Sequence, residues 1–198
     1  VQGMRFRTPG LGGQVWQRMG ASVTNMAGGE IFQALQSGTL DAAEFVGPYN
    51  DLALGFYQVC KHYYTSSFNE PGLATELVVD KAKYQALPAN LQAIVRDCAQ
   101  AEYDQVPCDF YANDPRALQT LVRDHDVVVH ESFPDDIVEA AANAAKEVLG
   151  GIINSDDELI ARVARSFIDS AKLLRTRTEV TDLGFIQARQ RFMDYSDL

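Results

Sequence analysis

Several kinds of sequence feature are missing from this chain of 198 residues, and each absence excludes a class of protein. The longest apolar runs, such as 127–129 and 140–142, are far shorter than the roughly 20 residues that a membrane-spanning helix needs. An excess of positive charge is also missing, because the formal charge is −10, which repels phosphate backbones and anionic lipids. We therefore expect neither a transmembrane segment nor a nucleic acid as the main partner.

Catalytic and nucleotide-binding motifs are equally scarce. The patterns GxxxxGK[ST], GxSxG and HExxH do not occur. The segment Gly10-Leu11-Gly12-Gly13 follows a predicted strand, but the third glycine of a dinucleotide fingerprint would fall on Val15, so we interpret the segment as a tight turn. His62, His125 and His130 have neither the spacing of a metal pair nor a nucleophile partner, which favours surface or core histidines.

Cysteine is sparse, and the three cysteines form no CxxC pair. If Cys98 and Cys108 share one helix, they lie roughly 15 Å apart along its axis, too far for a disulfide, so we predict buried free thiols. The chain also lacks an initiator Met and a signal segment, from which we expect it to begin inside a longer gene product or after processing.

The remaining pattern alternates between strands and helices, which predicts an α/β fold. We predict a strand over 40–46 that ends at Gly47-Pro48, with Asp51 as the N-cap of the next helix, and a strand over 73–79. The other predicted strands are 4–8, 23–26, 62–66 and 127–130, and predicted helices cover 14–19 and 30–36.

Helices dominate the second half of the sequence. Helix formers dominate 80–111, where we expect Pro88 near a helix start and Pro107 to kink or end the helix, and we expect a new helix to begin at Asn113-Asp114-Pro115. A helix from 134 should stop at Gly150-Gly151. From Ser155 onward a helical stripe must be buried on some partner; it consists of Leu159, Ile160, Val163, Phe167, Ala171 and Leu174.

Three polar residues stand at predicted strand ends. Arg7 is close to Pro9, where its guanidinium could hold a carboxylate through two parallel hydrogen bonds or could be an ordinary surface charge. Glu44 precedes Phe45, and Glu70 precedes a Pro-Gly turn. These two carboxylates could hold a hard cation together with backbone carbonyl oxygens, or could be solvated loop acids, and the residues alone favour the solvated interpretation.

Three segments taken together resemble the solute-binding subunits of tripartite ATP-independent (TRAP) transporters, the DctP-like family. They are MRFRTPG at 4–10, GGEIFQALQSG at 28–38 and DAAEFVGPYND at 41–51. The run Glu-aromatic-Val-Gly-Pro-Tyr, followed by Glu70-Pro71-Gly72, is similar to the branch that binds 2-oxo acids and hydroxy acids with a metal ion.

The resemblance implies an α/β two-lobed periplasmic-binding-protein clamshell, of which this chain is the C-terminal portion, with the N-terminal lobe largely missing. Residues 1–72 and 113–150 would form the second lobe. Residues 73–112 would complete the first lobe, and 151–198 would form a long helical tail that braces the lobes or forms a homodimer.

The resemblance also implies a binding site. Arg7 would hold the substrate carboxylate, and Phe45, at a position that is usually Trp, would flank the ligand and give its carbonyl oxygen to a Ca²⁺ or Na⁺ ion. Glu70 matches the acidic metal ligand, and Glu44 is a weaker candidate. A further metal ligand would lie upstream of this sequence.

The function implied is that of a periplasmic protein that captures a small organic acid, such as pyruvate or lactate, and delivers it to the TRAP membrane subunits. Neither catalysis nor a redox cofactor is expected. One alternative is a metal-dependent enzyme acting on a 2-oxo acid, but no Lys or His that could serve as a base accompanies the site motifs. Another is a structural module that associates through the terminal helix.

Overall fold

The computed structural model describes residues 1–65 and 75–193. The chain divides into two compact units, Val1–Ala144 and Ala145–Leu198. The first unit contains two parallel sheets with helical connections, which confirms the predicted α/β class. Within the part of the chain that the structure describes, no helix is long and apolar enough to cross a membrane.

A three-stranded parallel sheet forms the first part of this unit, in the order β2-β1-β3. Its strands are short: β1 (Arg5–Arg7), β2 (Ser22–Thr24) and β3 (Ala42–Ala43). Parallel neighbours need a crossover, which α1 (Gly10–Arg18) supplies between β1 and β2 and α2 (Gly28–Gln36) between β2 and β3. The three strands therefore end at the same edge of the sheet.

A second parallel sheet pairs β4 (His62–Tyr64) with β5 (Val128–His130). Between β3 and β4 the chain forms α3 (Pro48–Ala53) and a short 3-10 helix (Phe56–Gln58). The connection from β4 to β5 contains α4 (Lys81–Ala86) and α5 (Ala89–His125).

The core of the first sheet lies on the face that Phe6 occupies. The Phe6 ring meets Trp16 of α1 edge to face, with 4.9 Å between ring centroids, and both side chains are buried. Arg5 and Arg7 point to the opposite face, because side chains alternate along a strand. Phe6 thus anchors β1 while its two arginine neighbours remain available for polar contacts.

Strand β3 is shorter than the predicted strand over 40–46. Pairing with β1 stops where the Glu44 carbonyl oxygen accepts a hydrogen bond from the Arg7 side chain. The strand predicted over 73–79 is wrong for its described residues, 75–79, which have no regular structure, and residues 73–74 lie outside the described part. Leu77, Val78 and Val79 are exposed, and no strand in 1–65 or 75–193 pairs with them.

Helix α5 (Ala89–His125) neither ends at Pro107 nor begins anew near Pro115, so these two predicted boundaries are wrong. Helix α5 continues through both prolines as one element of 37 residues. Each proline removes one hydrogen bond from the ladder, but the other turns keep theirs, and α3 packs along the same helix. Packing and length therefore outweigh two local interruptions.

Two smaller predictions also need correction. Cys98 and Cys108 are free and share α5, as the disulfide argument assumed, but both are exposed rather than buried. The glycines at 10–13 form the first turn of α1 instead of a separate turn, and a Cβ on Gly13 would lie only 3.0 Å from the Thr8 carbonyl oxygen.

The second unit is helical, as predicted. It contains the end of α6 (Asp135–Ile153), then α7 (Glu158–Val180) and α8 (Asp182–Phe192). The predicted stop at Gly150-Gly151 is wrong, because α6 continues to Ile153 and the Asn154 side chain then donates to the Gly150 carbonyl at 2.9 Å. Helix α7 begins at Glu158, three residues after the predicted start at Ser155, because Asp157 caps it by accepting from the backbone N–H of Leu159 at 2.8 Å.

Candidate functional site

The candidate site lies at the edge of the first sheet where β1 and β3 end. Arg7 pairs in register with Ala43, which places the next residues, Thr8 and Glu44, side by side. The Thr8 hydroxyl donates to a Glu44 carboxylate oxygen at 3.2 Å. Crevices at the carboxyl ends of parallel strands are common ligand sites, and this edge carries three polar residues.

Arg7 is 8% exposed, and its hydrogen-bond partners are neutral. Nη1 donates to the Glu44 carbonyl oxygen at 2.6 Å, while Nε and Nη2 donate to the Met26 carbonyl oxygen at 3.2 and 3.1 Å. These contacts use three of the five guanidinium N–H groups and leave one on each Nη beyond them. None of these partners carries a charge that would neutralise the guanidinium of Arg7, and two of its N–H groups remain for a carboxylate to accept from.

The ring of Phe45 covers the Arg7 guanidinium, with 5.6 Å between Cζ and the ring centroid. Phe56 meets this ring edge to face at 6.0 Å. A Cβ on Gly28 would lie 2.7 Å from Cε2 of the Phe45 ring, so glycine at this position is needed for the ring to stay where it is. The aromatic cover over Arg7 is thus fixed from two sides.

A cavity of about 1200 Å³ lies within the first unit. Glu44, Phe45, Asp51 and Tyr63 are among its lining residues. Typical small-molecule pockets have volumes of roughly 300–1,000 Å³, so this cavity has ample room for a small organic acid.

Asp51 is a buried carboxylate in the cavity wall, 9% exposed. The Tyr63 hydroxyl donates to its Oδ2 at 2.6 Å, while Oδ1 has no hydrogen-bond partner among the described residues. Burial raises the pKa of Asp51 to about 6, against the lowering effect of the Tyr63 hydrogen bond, and the charges of Asp114 and Glu44 raise it further. Burial and the Asp51 charge also raise the pKa of Tyr63.

The predicted role of Asp51 as a helix cap is wrong. Helix α3 begins at Pro48 after Gly47, so Asp51 lies inside the helix. At the start of α3, the carboxylate of Asp114 on α5 accepts from the Tyr49 backbone N–H, with 3.0 Å to Oδ1. Proline at the first helical position already explains why α3 begins there.

The structure brings together three of the four predicted site residues. Arg7, Glu44 and Phe45 are in contact, whereas Glu70 lies outside the described residues. Within 1–65 and 75–193, no group of three His, Cys, Asp or Glu side chains is placed to hold a metal ion. The metal-ligand roles of Glu44, Phe45 and Glu70 therefore stay predictions.

Sequence reasoning missed the residues that support this arrangement. Met26 contributes only a backbone oxygen, which no side-chain pattern could mark. Asp51 and Tyr63 are 12 positions apart and meet only through the fold. Gly28 had a visible signal, the Gly-Gly pair before a helix, but its contact with Phe45 could not be inferred from it.

Comparison with known proteins places this geometry in a family. Residues 1–155 match the family model DctP, described as "Bacterial extracellular solute-binding protein, family 7". A curated relative, the monocarboxylate 2-oxoacid-binding periplasmic protein of Nostoc sp. (strain PCC 7120), is 42% identical over 96 residues, which are 48% of this chain and 26% of the relative.

Two solved structures have the same fold. A TRAP periplasmic solute-binding protein from Colwellia psychrerythraea, with bound calcium and pyruvate, matches with a TM-score of 0.85 and 32% identity. One from Pseudoalteromonas atlantica, with bound sodium and pyruvate, matches with a TM-score of 0.83 and 30% identity. Each match covers 94% of this chain and 56% of the solved chain, so this chain spans about half the length of these structures.

These matches confirm three predictions. The fold is that of TRAP periplasmic binding proteins, the family consists of solute-binding proteins rather than enzymes, and its members act outside the cytoplasm. The family model covers more than half of the chain, including the edge that carries Arg7 and Phe45. The chain belongs to the DctP family of bacterial extracellular solute-binding proteins.

Proposed function

We propose that the protein containing this chain is the solute-binding subunit of a TRAP transporter and captures a small 2-oxo or hydroxy acid, such as pyruvate or lactate. The observation that carries this proposal is the environment of Arg7, a buried guanidinium held by two neutral carbonyl oxygens beneath an aromatic ring. The relatives named above, which bind a 2-oxo acid or hold pyruvate, supply the substrate class.

The charge of Arg7 explains how an acidic protein can bind an anion. The chain carries a formal charge of −10, which repels carboxylates at long range. At the site, the short-range attraction of one desolvated guanidinium outweighs that repulsion, because surrounding water screens distant charges. A carboxylate that accepts from the two remaining N–H groups would complete the five donors of Arg7.

A bridging cation is the second part of the proposal. The two solved relatives contain sodium or calcium together with pyruvate. In this chain Phe45 would contribute its carbonyl oxygen, Glu70 its carboxylate and Glu44 a further carboxylate oxygen, a set of hard oxygen ligands that suits Ca²⁺ or Na⁺. When bound, the ion would balance the charge of the acidic ligands and of the substrate carboxylate.

Phe45 bears on which acid is bound. Its ring keeps the apolar cover over Arg7 but has no N–H group, unlike the Trp usual at this position in the branch that the sequence resembles. We therefore favour a ligand whose polar atoms face Arg7 and the cation, with a small apolar end towards the ring. A methyl-bearing acid such as pyruvate or lactate has this pattern.

The transport role extends the proposal to the whole protein. Residues 1–72 and 113–150 would form one lobe, 73–112 would complete the other, and closure around the acid would present it to the TRAP membrane subunits. The family assignment and the two solved relatives support this organisation.

The helical tail is proposed to brace the lobes or to form a homodimer. Leu159, Val163, Phe167 and Leu174 in α7 are each more than half exposed, which is an unfavourable state for a row of apolar side chains. Sedimentation of the full-length protein and of a variant truncated after Gly151 would test the dimer. If both proteins have the same oligomeric state, a dimer formed through the tail is excluded.

The test of the function is a calorimetric titration of the full-length protein with pyruvate and with lactate. Arg7→Ala should weaken binding by about 2–5 kcal/mol, because it leaves a desolvated carboxylate unpaired, and Arg7→Lys should restore only part of the loss. Arg5→Ala, on the same strand, is the matched control and should bind like wild type. Wild-type affinity in Arg7→Ala would remove Arg7 from the site.

The cation is tested in the same titration by adding a chelator and, separately, by omitting sodium. Ligand and ion should each raise the affinity of the other by the same factor. If the acid binds equally well in every buffer, the bridging cation is excluded, although the Arg7 result still decides whether the chain binds an acid.

A further inference from the structure

Residues 44–47, which we call the site loop, join strand β3 to helix α3 and carry Glu44 and Phe45 of the proposed acid site. Strand β1 holds the first residue of this loop. The Glu44 N–H donates to the Arg7 carbonyl oxygen at 2.8 Å, and the Glu44 carbonyl oxygen accepts from Arg7 Nη1 at 2.6 Å. A segment held at one end can still swing about that end, so the position of Phe45 also depends on what holds the other end.

The side chain of Asp114 on α5 reaches that other end. Its Oδ1 accepts from the Tyr49 backbone N–H at 3.0 Å, although 65 positions separate the two residues. A Cβ on Gly47 would lie 3.3 Å from Oδ1 and 3.4 Å from Oδ2 of Asp114, so the same carboxylate packs against the backbone of the last loop residue. One carboxylate therefore contacts the chain on both sides of Pro48.

Pro48 explains why the anchor is the amide of Tyr49. Proline has no backbone N–H, so the first N–H after the site loop belongs to Tyr49. The first hydrogen bond of α3 runs from the Asp51 N–H to the Gly47 carbonyl oxygen at 2.9 Å. The N–H groups of the first turn of a helix have no partner within the helix, and Asp114 supplies one from outside it.

An aromatic contact supports the same anchor. The Tyr49 ring meets Phe110 of α5 edge to face, with 6.3 Å between centroids and 81° between the ring planes. Phe110 and Asp114 are four residues apart, so they lie on the same face of α5. Helix α5 thus holds Tyr49 through its backbone and through its ring, which fixes the direction in which the site loop enters α3.

The charge of Asp114 is unfavourable where it lies. After burial, which is the main cause, the charges of Asp114 and Glu44 further raise the pKa of Asp51, so the three carboxylates repel one another. The useful part of Asp114 is therefore the oxygen that accepts from Tyr49 and not the negative charge. An asparagine side chain offers the same acceptor without the charge.

We propose that Asp114 is a positioning residue for the acid site. By holding Gly47 and Tyr49 it keeps the site loop in place, and with the loop the Phe45 ring that lies 5.6 Å from Arg7 Cζ. Asp114 acts through the loop and does not itself contact the acid. The inference rests on the proposed function, because it gives Asp114 a part in binding the same acid.

The experiment combines two measurements on the full-length protein. Hydrogen exchange of the peptide over residues 44–50, without ligand, reports how firmly the site loop is held, and calorimetric titration with pyruvate in buffer that contains Na⁺ and Ca²⁺ reports the site. Asp114→Ala should speed exchange in this peptide about tenfold and weaken pyruvate binding about tenfold. Alanine is a strong helix former, so α5 should tolerate the change.

Two further variants separate the hydrogen bond from the charge. Asp114→Asn keeps the acceptor and should restore exchange and affinity close to wild type. Asp109→Ala is the matched control, since it removes the same charge from the same helix. Asp109 is exposed, and its Oδ1 accepts from the Gln105 side chain at 2.8 Å, so its loss should change neither measurement.

Three results would overturn the proposal, once thermal melting has shown that every variant is folded. The first is unchanged loop exchange in Asp114→Ala. The second is faster exchange in Asp114→Ala with the same pyruvate affinity as Asp109→Ala. The third is an Asp114→Asn variant as impaired as Asp114→Ala. If wild type binds no pyruvate, the proposed function fails, and the exchange comparison alone then decides whether Asp114 holds the loop.

Discussion

The two ends of strand β1 each carry an arginine, and the two arginines have opposite environments. At the amino end Arg5 is exposed, and its Nε donates to Asp41 Oδ2 at 2.9 Å. At the carboxyl end Arg7 is buried and donates to the carbonyl oxygens of Glu44 and Met26. The side chains are two positions apart and share a face of the strand, so the difference comes from their partners.

The comparison shows why one arginine is suited to bind an anion and the other is not. Asp41 neutralises Arg5, and the Arg5 hydrogen bonds lower the pKa of Asp41 to about 2. Carbonyl oxygens hold the Arg7 guanidinium in position without cancelling its charge. A buried arginine with neutral partners can attract an anionic ligand. The charge of an exposed arginine with a carboxylate partner is already neutralised by that partner.

Asp51, near the carboxyl end of the sheet, gives the largest effect that we predict on stability. Its unfolded pKa is about 3.8 and its folded pKa about 6, so ionisation in the folded state is unfavourable. Stability from this group is highest below pH 4 and falls as the pH rises through 6. By linkage the fall amounts to about 3 kcal/mol.

The amide that replaces the carboxylate in Asp51→Asn cannot ionise, so the variant should not show this loss of unfolding free energy with rising pH. Urea unfolding of wild type and variant at intervals from pH 4 to pH 8 measures it, because the difference between the two curves cancels every other titrating group. Asp156→Asn, in an exposed position, is the control and should follow wild type throughout. A constant difference between wild type and Asp51→Asn over this range would show that Asp51 has an ordinary pKa.

Gly28→Ala tests the aromatic cover over Arg7 and should have the next largest effect. The new methyl group would lie 2.7 Å from Cε2 and 2.8 Å from Cζ of Phe45, so the ring must move away from the guanidinium. Crowding of this kind typically costs about 1–3 kcal/mol. We therefore expect Gly28→Ala to lower both the affinity for pyruvate and the free energy of unfolding.

Gly29→Ala is the matched control for this test. It changes the neighbouring residue of the same helix turn, where a Cβ has no atom within 4 Å, and should be neutral or slightly stabilising. Calorimetry with pyruvate and thermal melting of both variants make the comparison. If Gly28→Ala binds pyruvate as well as Gly29→Ala does, the Phe45 ring is not needed above Arg7.

The α/β class and most of the elements were predictable because periodicity and turn residues are local signals. The strand at Arg5–Arg7 and the helix ending at Gln36 lie close to their predicted positions. Errors arose where tertiary contacts override local preference. Helix α5, which packs on α3, continues through two prolines. Strand β3 ends where the Arg7 side chain donates a hydrogen bond to the Glu44 carbonyl oxygen.

The site was predictable only as far as side-chain motifs extend. The resemblance identified Arg7 and Phe45, which the structure places together, but it could not identify the Met26 carbonyl that fixes Arg7. No local spacing predicts that two of the histidines meet, although Nδ1 of His62 lies 3.0 Å from Nε2 of His130. Contacts between distant strands carry this information, and a single sequence does not contain it in any periodic form.

Asp41→Asn should have the smallest effect of the changes that we predict. The variant removes the charge that Arg5 faces, but both side chains are exposed, and exposed ion pairs contribute little because water and salt screen them. The lowered pKa of Asp41 means that its contribution is present above about pH 4 and is lost as the pH falls towards 2. The wild-type curve should therefore approach that of Asp41→Asn only in strong acid, and by a small amount.

The affinity for pyruvate at pH 7.5 should be unchanged in Asp41→Asn. Removing the partner of the exposed Arg5 does not create a pair of desolvated N–H donors held in position for a carboxylate. Pyruvate titration of this variant beside Arg7→Ala compares the two ends of β1 in one experiment. Tighter pyruvate binding in Asp41→Asn would show that Arg5 can also reach the ligand. That result would contradict the conclusion that only Arg7 is suited to bind the anion.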